Sequence, residues 1–219
     1  MPSPGCNRIL IVDDHPMMRE GLRTLISRER DLIVCGEAET AGQALDAVAN
    51  LKPDLVLADI TLPGRNGIEL IKDICALQHA MLILVISMHD ESLYTERVLR
   101  AGARGYIMKQ ESGPTMMQAI RQVLAGRIYL SDKMSARVLE HVAGKHTKAS
   151  PIERLSDREW EVFQLIARGK STVQIAEELH LSTKTVEAHR ARVKKKLDLR
   201  TMPELISFAS RWVETQDAR

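Results

Sequence analysis

The chain has 219 residues, of which 44% are hydrophobic, 3% aromatic and 27% charged, with a formal net charge of +2. That length suits two domains better than one, and so few aromatics leave the cores to Leu, Ile, Val, Ala and Met. No apolar run is long enough to span a bilayer, the opening MPSPGCNRILIVDDH is unlike a signal peptide, and Cys6, Cys35 and Cys75 are far apart. These features speak against a membrane protein, a disulfide framework or a zinc cluster, and predict a soluble, cytoplasmic chain with reduced thiols.

In chain order, RILIV, LIVCG, DLVLA, MLILVIS and GYIM are short apolar runs of the kind found in strands covered on both faces. Helical spacing fills the intervals over Met17–Ser27, Ala41–Leu51, Gly67–Leu77, Ser92–Ala101 and Thr115–Leu124. Five strands each followed by a helix predict an α/β doubly wound, five-stranded parallel sheet with right-handed crossovers. After Gly126 the pattern changes. SDKMSARVLEHV has the pattern of one more short helix, and AGKHTKASPIE has linker composition, so residues 127–152 read as a partly helical linker between domains at 6–126 and 153–215.

From Ser156 onward every stretch is helical. SDREWEVFQLIARG opens on a capping-box pair, Ser156 and Glu159, and closes on Gly169. A helix from Ser171 or Thr172 to Leu179, a turn HLS, a helix Thr183–Leu197 and a last helix through PELISFASRW follow. This predicts a small all-α helix-turn-helix domain.

In a doubly wound sheet, ligands bind beyond the carboxyl ends of the strands. The first run ends in Asp13 and Asp14, the third in Asp59 and the fourth in Ser87, and the fifth is followed by Lys109. A lone aspartate after a strand is usually a turn or cap residue. Three carboxylates together repel unless a hard cation relieves them, and magnesium suits oxygen ligands. One aspartate is then free to attack a phosphoryl donor and form an acyl phosphate. Asp59 stands alone on its strand and is the expected nucleophile, with Lys109 and the Ser87 hydroxyl binding the phosphoryl oxygens. His15 and His89 flank the site as neighbours, and Pro63 and Gly67 shape the loop after Asp59.

The segments DDHP, DITLPGRNG, SMHDE and GYIMK resemble, in order and spacing, the receiver domain of two-component response regulators. The resemblance implies the 2-1-3-4-5 strand order, known for this type of fold. It also implies that Asp59 is the phosphoacceptor and that Asp13, Asp14 and Asp59 share Mg2+ with the Thr61 carbonyl. Ser87 and Lys109 then respond to the phosphate, and Tyr106 takes the aromatic switch position, its ring moving inward as Ser87 shifts.

Charge is uneven along the chain: residues 1–130 hold 14 basic and 16 acidic side chains, the remainder 17 and 13. Between Lys184 and Arg200 seven basic residues face only Glu187 and Asp198, a stripe that points to a polyanion. Spacing residues of the second helix at 100° puts Val186, Val193 and Leu197 on the inward face. The outer face carries Lys184, Ala188, Ala191 and Lys195, with Thr185 near the helix start and Glu187, Arg192, Lys194 and Lys196 on the flanks. Central alanines permit close approach to bases and the lysines suit phosphates. On charge alone, a solvated basic face is the commoner reading.

The stretch LSDREWEVFQLIARGKSTVQIAEELHLSTKTVEAHRARVKKKL resembles the LuxR-type DNA-binding domain, and the two halves together resemble the NarL/FixJ family of response regulators. The family implies a sensor histidine kinase as phosphodonor, double-stranded DNA as target and a homodimer when active, with Pro203–Trp212 a candidate pairing surface. Packing of that helix on its own domain is an equal expectation. Glu187 departs from the basic residue of many relatives and unsettles any transfer of operator preference. Two rivals stay open. A phosphatase using an aspartyl phosphate needs a second acid two residues after the nucleophile, where Thr61 stands, and a regulator that works without phosphorylation would keep the DNA domain alone.

Overall fold

Apolar runs and amphipathic helices alternate through the first half of the chain in the computed structural model, which describes residues 5–63, 65–89, 91–142 and 151–217. The chain divides into two compact units, Met1–Lys145 and His146–Arg219. In the first, β1 (Asn7–Val12), β2 (Leu32–Ala38) and β3 (Leu55–Ala58) are followed by a small antiparallel pair, β4 (Thr61–Leu62) and β5 (Arg65–Asn66), and then by β6 (Leu82–Ser87) and β7 (Gly105–Met108). Helices α1 (Pro16–Ser27), α2 (Ala41–Leu51), α3 (Gly67–Leu77), α4 (Glu91–Ala101) and α5 (Gly113–Leu124) alternate with them. The five long strands form one parallel sheet in the order β2-β1-β3-β6-β7, as the resemblance implied.

Both faces of the sheet are buried, which is why these strands are continuous aliphatic runs. Ile9, Ile11, Leu55, Leu57, Leu84, Ile86 and Ile107 meet Leu22, Ile26, Met116, Ile120 and Val123 of α1 and α5. The short β4–β5 pair has no periodicity to announce it. It turns the chain sharply after β3 and presents Asn66, whose side chain caps α3 by accepting from the Ile68 amide at 2.6 Å. Gly67 is required there: a Cβ would lie 2.5 Å from Ile60 Cα and 2.6 Å from the Asp59 carbonyl oxygen.

Residues 127–142, expected in the linker, pack on the first unit. Tyr129 joins the outer edge of β7, donating its amide to the Arg104 carbonyl at 3.0 Å and accepting from the Tyr106 amide at 3.2 Å. Helix α6 (Asp132–Val142) follows; its Met134 is buried, and the Ser131 hydroxyl donates to Glu91 of α4 at 2.7 Å. The edge hydrogen bonds of Tyr129, the Ser131–Glu91 bond and the buried Met134 follow no strand or helix period that would mark this docking in the sequence. Residues 143–150 of the expected linker lie outside the described residues.

The second unit has a 3-10 turn at Pro151–Arg154, then α7 (Asp157–Ala167), α8 (Thr172–Glu178), α9 (Thr183–Lys196) and α10 (Met202–Asp217). Its core departs from the expectation of aliphatic packing, because both tryptophans and both phenylalanines of the chain lie here. Trp160 and Phe163 of α7 stand 5.1 and 5.7 Å from Trp212, and Phe163 lies 6.1 Å from Phe208. Serines begin three of the helices: Ser156, Ser171 and Ser182 accept from the amides of Glu159, Gln174 and Thr185. The turn between α8 and α9 uses His180 in the left-handed region, with φ of 52°, where glycine is the usual choice.

The contact at Gly67 makes a prediction. Gly67→Ala should destabilise the first unit by roughly 1–3 kcal/mol through overpacking, measured as a shift of its urea unfolding midpoint; an unchanged midpoint would mean that the loop yields freely.

Candidate functional site

The ends of β1, β3 and β7 carry the chemistry because there the ladder runs one bond further than the strand. Beyond β1 the Asp13 amide donates to the Ala38 carbonyl at 3.0 Å, beyond β3 the Asp59 amide donates to the Val12 carbonyl at 2.8 Å, and beyond β7 the Lys109 amide donates to the Ser87 carbonyl at 2.8 Å. These bonds fix the side chains at one edge of the sheet. Asp13 is 2% exposed and Asp59 3%, and the Lys109 ammonium reaches both, at 2.7 Å from Asp13 Oδ2 and 2.8 Å from Asp59 Oδ2.

Burial pushes the Asp59 carboxyl above its ordinary pKa, against the pull of Lys109 and the Thr61 amide, which donates to Asp59 Oδ1 at 3.1 Å. Burial opposes the charge on Lys109 as well, yet the facing carboxylates Asp59 and Asp13 together hold its pKa above the ordinary lysine value. Asp14, more exposed, has Oδ1 2.7 Å from His15 Nδ1. One ligand atom from each of Asp13, Asp14, His15 and Asp59 falls within 4.8 Å of the others. Three carboxylates against one ammonium leave two negative charges in excess, a donor set matched to a hard divalent cation.

Hydrogen bonds line the described part of the pocket wall toward α4. Ser87, fully buried, accepts from the His89 amide at 3.2 Å, and the His89 ring lies 3.0 Å from the Thr61 hydroxyl and stacks on Tyr94. Tyr106 is 1% exposed, with its hydroxyl donating to the His89 carbonyl at 2.7 Å, so the ring is already inside the fold. Asp13, Asp14, Asp59, Thr61, Ser87 and Lys109 thus converge, and Tyr106 joins them through His89. Residue spacing marks His15 and His89 only as neighbours of the site; their contacts depend on backbone geometry that spacing does not reveal.

In the second unit, Val186, Val193 and Leu197 are buried, while Lys184, Glu187, Ala188, Ala191, Arg192 and Lys195 are exposed along α9. Thr185 is partly buried, its amide capped by Ser182. Lys194 is likewise partly buried. Glu187 Oε1 accepts from the Thr172 hydroxyl at 2.9 Å and from Arg190 at 3.0 Å, which ties α9 to the start of α8. Lys196 turns back to Glu159 of α7 at 2.6 Å, committing its charge to the fold. On α10, Pro203 and Ile206 are exposed, whereas Phe208 turns toward Phe163.

A doubly wound receiver with an acid pocket, joined to a helix-turn-helix unit with a basic outer face, defines a two-component response regulator. Residues 9–121 match the response regulator receiver domain and residues 153–209 match the luxR family of bacterial regulatory proteins, and the chain belongs to this family. The oxygen regulatory protein NreC of Staphylococcus haemolyticus is 36% identical over 208 residues, covering 92% of this chain and 96% of that protein. A LuxR-family response regulator from Aurantimonas is 38% identical, with a TM-score of 0.59 over 63% of this chain and 99% of that one. Salmonella enterica RcsB, solved on a promoter with the phosphomimetic BeF3-, is 25% identical, with a TM-score of 0.64 over 94% of this chain and 98% of that one.

The Glu159–Lys196 pair yields a pH prediction. Burial opposes the Glu159 charge, but Lys196 and the Ser156 amide outweigh it and hold the carboxyl below its ordinary pKa. Its stabilisation is therefore fully present above the unfolded value of about 4.3 and is lost as pH falls through the lower folded value. Glu159→Gln, which keeps a capping side chain, should cost roughly 1–3 kcal/mol at pH 7. The gap to wild type should narrow in chemical denaturation of the second unit as pH falls below that unfolded value; a gap independent of pH would refute the charge assignment.

Proposed function

We propose that Asp59 accepts a phosphoryl group from a sensor histidine kinase and that the modified protein pairs and binds DNA to regulate transcription. The observation that carries this reading is the pair of buried carboxylates, Asp13 and Asp59, sharing Lys109 at the sheet's carboxyl edge. An Asp59 oxygen attacks phosphorus while the phosphorus–nitrogen bond of the donor phosphohistidine, protonated at its other ring nitrogen, breaks and its electron pair passes to the nitrogen that held phosphorus, leaving an acyl phosphate here and a neutral imidazole on the kinase. Mg2+, held by Asp13, Asp14, Asp59 and the Thr61 carbonyl, would offset charge on the transferring group. Lys109 then exchanges its carboxylate contact for a phosphoryl oxygen, and the Ser87 hydroxyl supplies a second donor.

Residues 6–126 act as the phosphoacceptor domain and 153–215 as the DNA-binding domain, in a cytoplasmic protein that is a regulator and not an enzyme. Thr61 stands where an aspartyl-phosphate hydrolase needs its second acid, so hydrolysis is confined to slow loss of the protein's own phosphate. On α9, the exposed Lys184, Ala188, Ala191, Arg192 and Lys195 face DNA, with Thr185, Glu187 and Lys194 beside them, while Lys196 stays on Glu159. A second copy pairs through α10, where Pro203 and Ile206 are exposed, and a dimer reads two half-sites.

Intact mass measured after incubation with Mg2+ and a small phosphodonor should show one phosphoryl adduct on wild type and none on Asp59→Asn. Labelling of the variant would place the acceptor elsewhere. An unlabelled wild type, with an active receiver labelled in parallel, would favour DNA binding without phosphorylation.

For the DNA face, Lys195→Ala should weaken binding about equally for all sequences and lower the slope of log affinity against log salt by about one. An unaltered salt slope would remove Lys195 from the phosphate contacts.

A further inference from the structure

We propose that Arg19 is a positioning residue for the cation end of the pocket, fixing the Asp13–Asp14 peptide so that both carboxylates address one divalent ion. The inference rests on the cation reading above and adds a residue to it. Arg19 lies on α1, in the turn that follows the acid pair, and is only 9% exposed. A buried arginine is retained only when its donors are matched. Here Nη1 donates to the Asp13 carbonyl at 2.7 Å, Nε donates to Glu37 at 3.2 Å, and Nη2 pairs with Glu39.

The Asp13 carbonyl is the decisive partner. It belongs to the peptide joining Asp13 to Asp14, so the orientation of that plane sets where both side chains leave the backbone. With Arg19 in place, each polar group of Asp13 is engaged. Its amide donates to Ala38 at 3.0 Å, its carbonyl accepts from Arg19, Oδ1 accepts from the His15 amide at 2.9 Å, and Oδ2 meets Lys109 at 2.7 Å. Asp14 Oδ1 lies 2.7 Å from His15 Nδ1, and the placement of its side chain follows that of the peptide.

Charge and geometry predict opposite signs, which makes the role testable. Glu37 and Glu39 face Arg19, and Arg23 in turn pairs with Glu37 and Glu20, so three carboxylates answer two guanidiniums and Arg19 brings no uncompensated positive charge to the pocket. If Arg19 acted on the pocket by its charge, removing it would bring a cation in more tightly. If it acts by holding the peptide, removing it weakens the ion, and lysine, which keeps the charge but lacks the planar fork, fails to restore it fully.

The experiment titrates Mn2+ into the unmodified full-length protein, read by the loss of free-ion EPR signal, with Mg2+ competition, for wild type, Arg19→Met and Arg19→Lys. Thermal unfolding of each variant is recorded alongside. The expected result is Mn2+ binding about tenfold weaker in Arg19→Met, with Arg19→Lys between it and wild type and both variants still folding cooperatively. Equal or tighter binding by Arg19→Met overturns the proposal and leaves the pocket reading standing. Should Arg19→Met lose its cooperative transition, Arg19→Lys decides alone, and wild-type affinity in it overturns the proposal. Absence of Mn2+ binding by wild type refutes the pocket reading itself, and this inference with it.

Discussion

Asp13 and Asp59 are withdrawn from water at the end of a sheet and answered by one ammonium, Lys109. Removing charges from water is costly, and such groups persist where geometry and hydrogen bonds are nearly complete. The strands supply that geometry: Val12 lies opposite Ala58, and the residues following each extend the same ladder by one bond. The parallel sheet, its aliphatic faces and the sharp turn at Gly67 all serve to hold these side chains within a few ångströms. The excess of negative charge that remains is carried on oxygen donors, the ligand type that suits a hard cation.

From this pocket a continuous run of hydrogen bonds leads toward α6. Ser87 meets the His89 amide, the His89 carbonyl meets the Tyr106 hydroxyl, and the Tyr106 amide meets Tyr129 at the sheet edge. Two residues beyond Tyr129, Ser131 both caps α6 and donates to Glu91 at the start of α4. The segment that leaves the receiver is thus joined to the same short loop that lines the pocket. Buried, well-satisfied networks of this kind resist gradual deformation.

The second unit solves a different problem. A unit this small needs large side chains to build a core, and it gathers the chain's two tryptophans and two phenylalanines into one cluster between α7 and α10. Serine caps at the starts of three helices define where the chain turns. Glu159 caps α7 and also binds Lys196, so one buried carboxylate joins the start of one helix to the end of another. The outer face of α9 keeps its exposed basic residues because Val186 and Val193 anchor the opposite side.

Much of this was legible in the sequence. Uninterrupted aliphatic runs and helical spacing determined the parallel strands and their helices, since a buried strand and an amphipathic helix each need a distinct apolar period. The position of Asp13, Asp14, Asp59, Ser87 and Lys109 at the ends of those runs marked the pocket before any distance was known. What only tertiary structure decided has no local period: the β4–β5 turn, the docking of Tyr129 and Ser131 on the first unit, the convergence of the aromatics, and the inward turn of Lys196. Arg19 belongs to the same class, because on a helix face it looks like any solvated cation. Its partners lie at Asp13, Glu37 and Glu39, brought together by two parallel strands and a crossover helix, and only closure of that crossover gives the arginine something to hold.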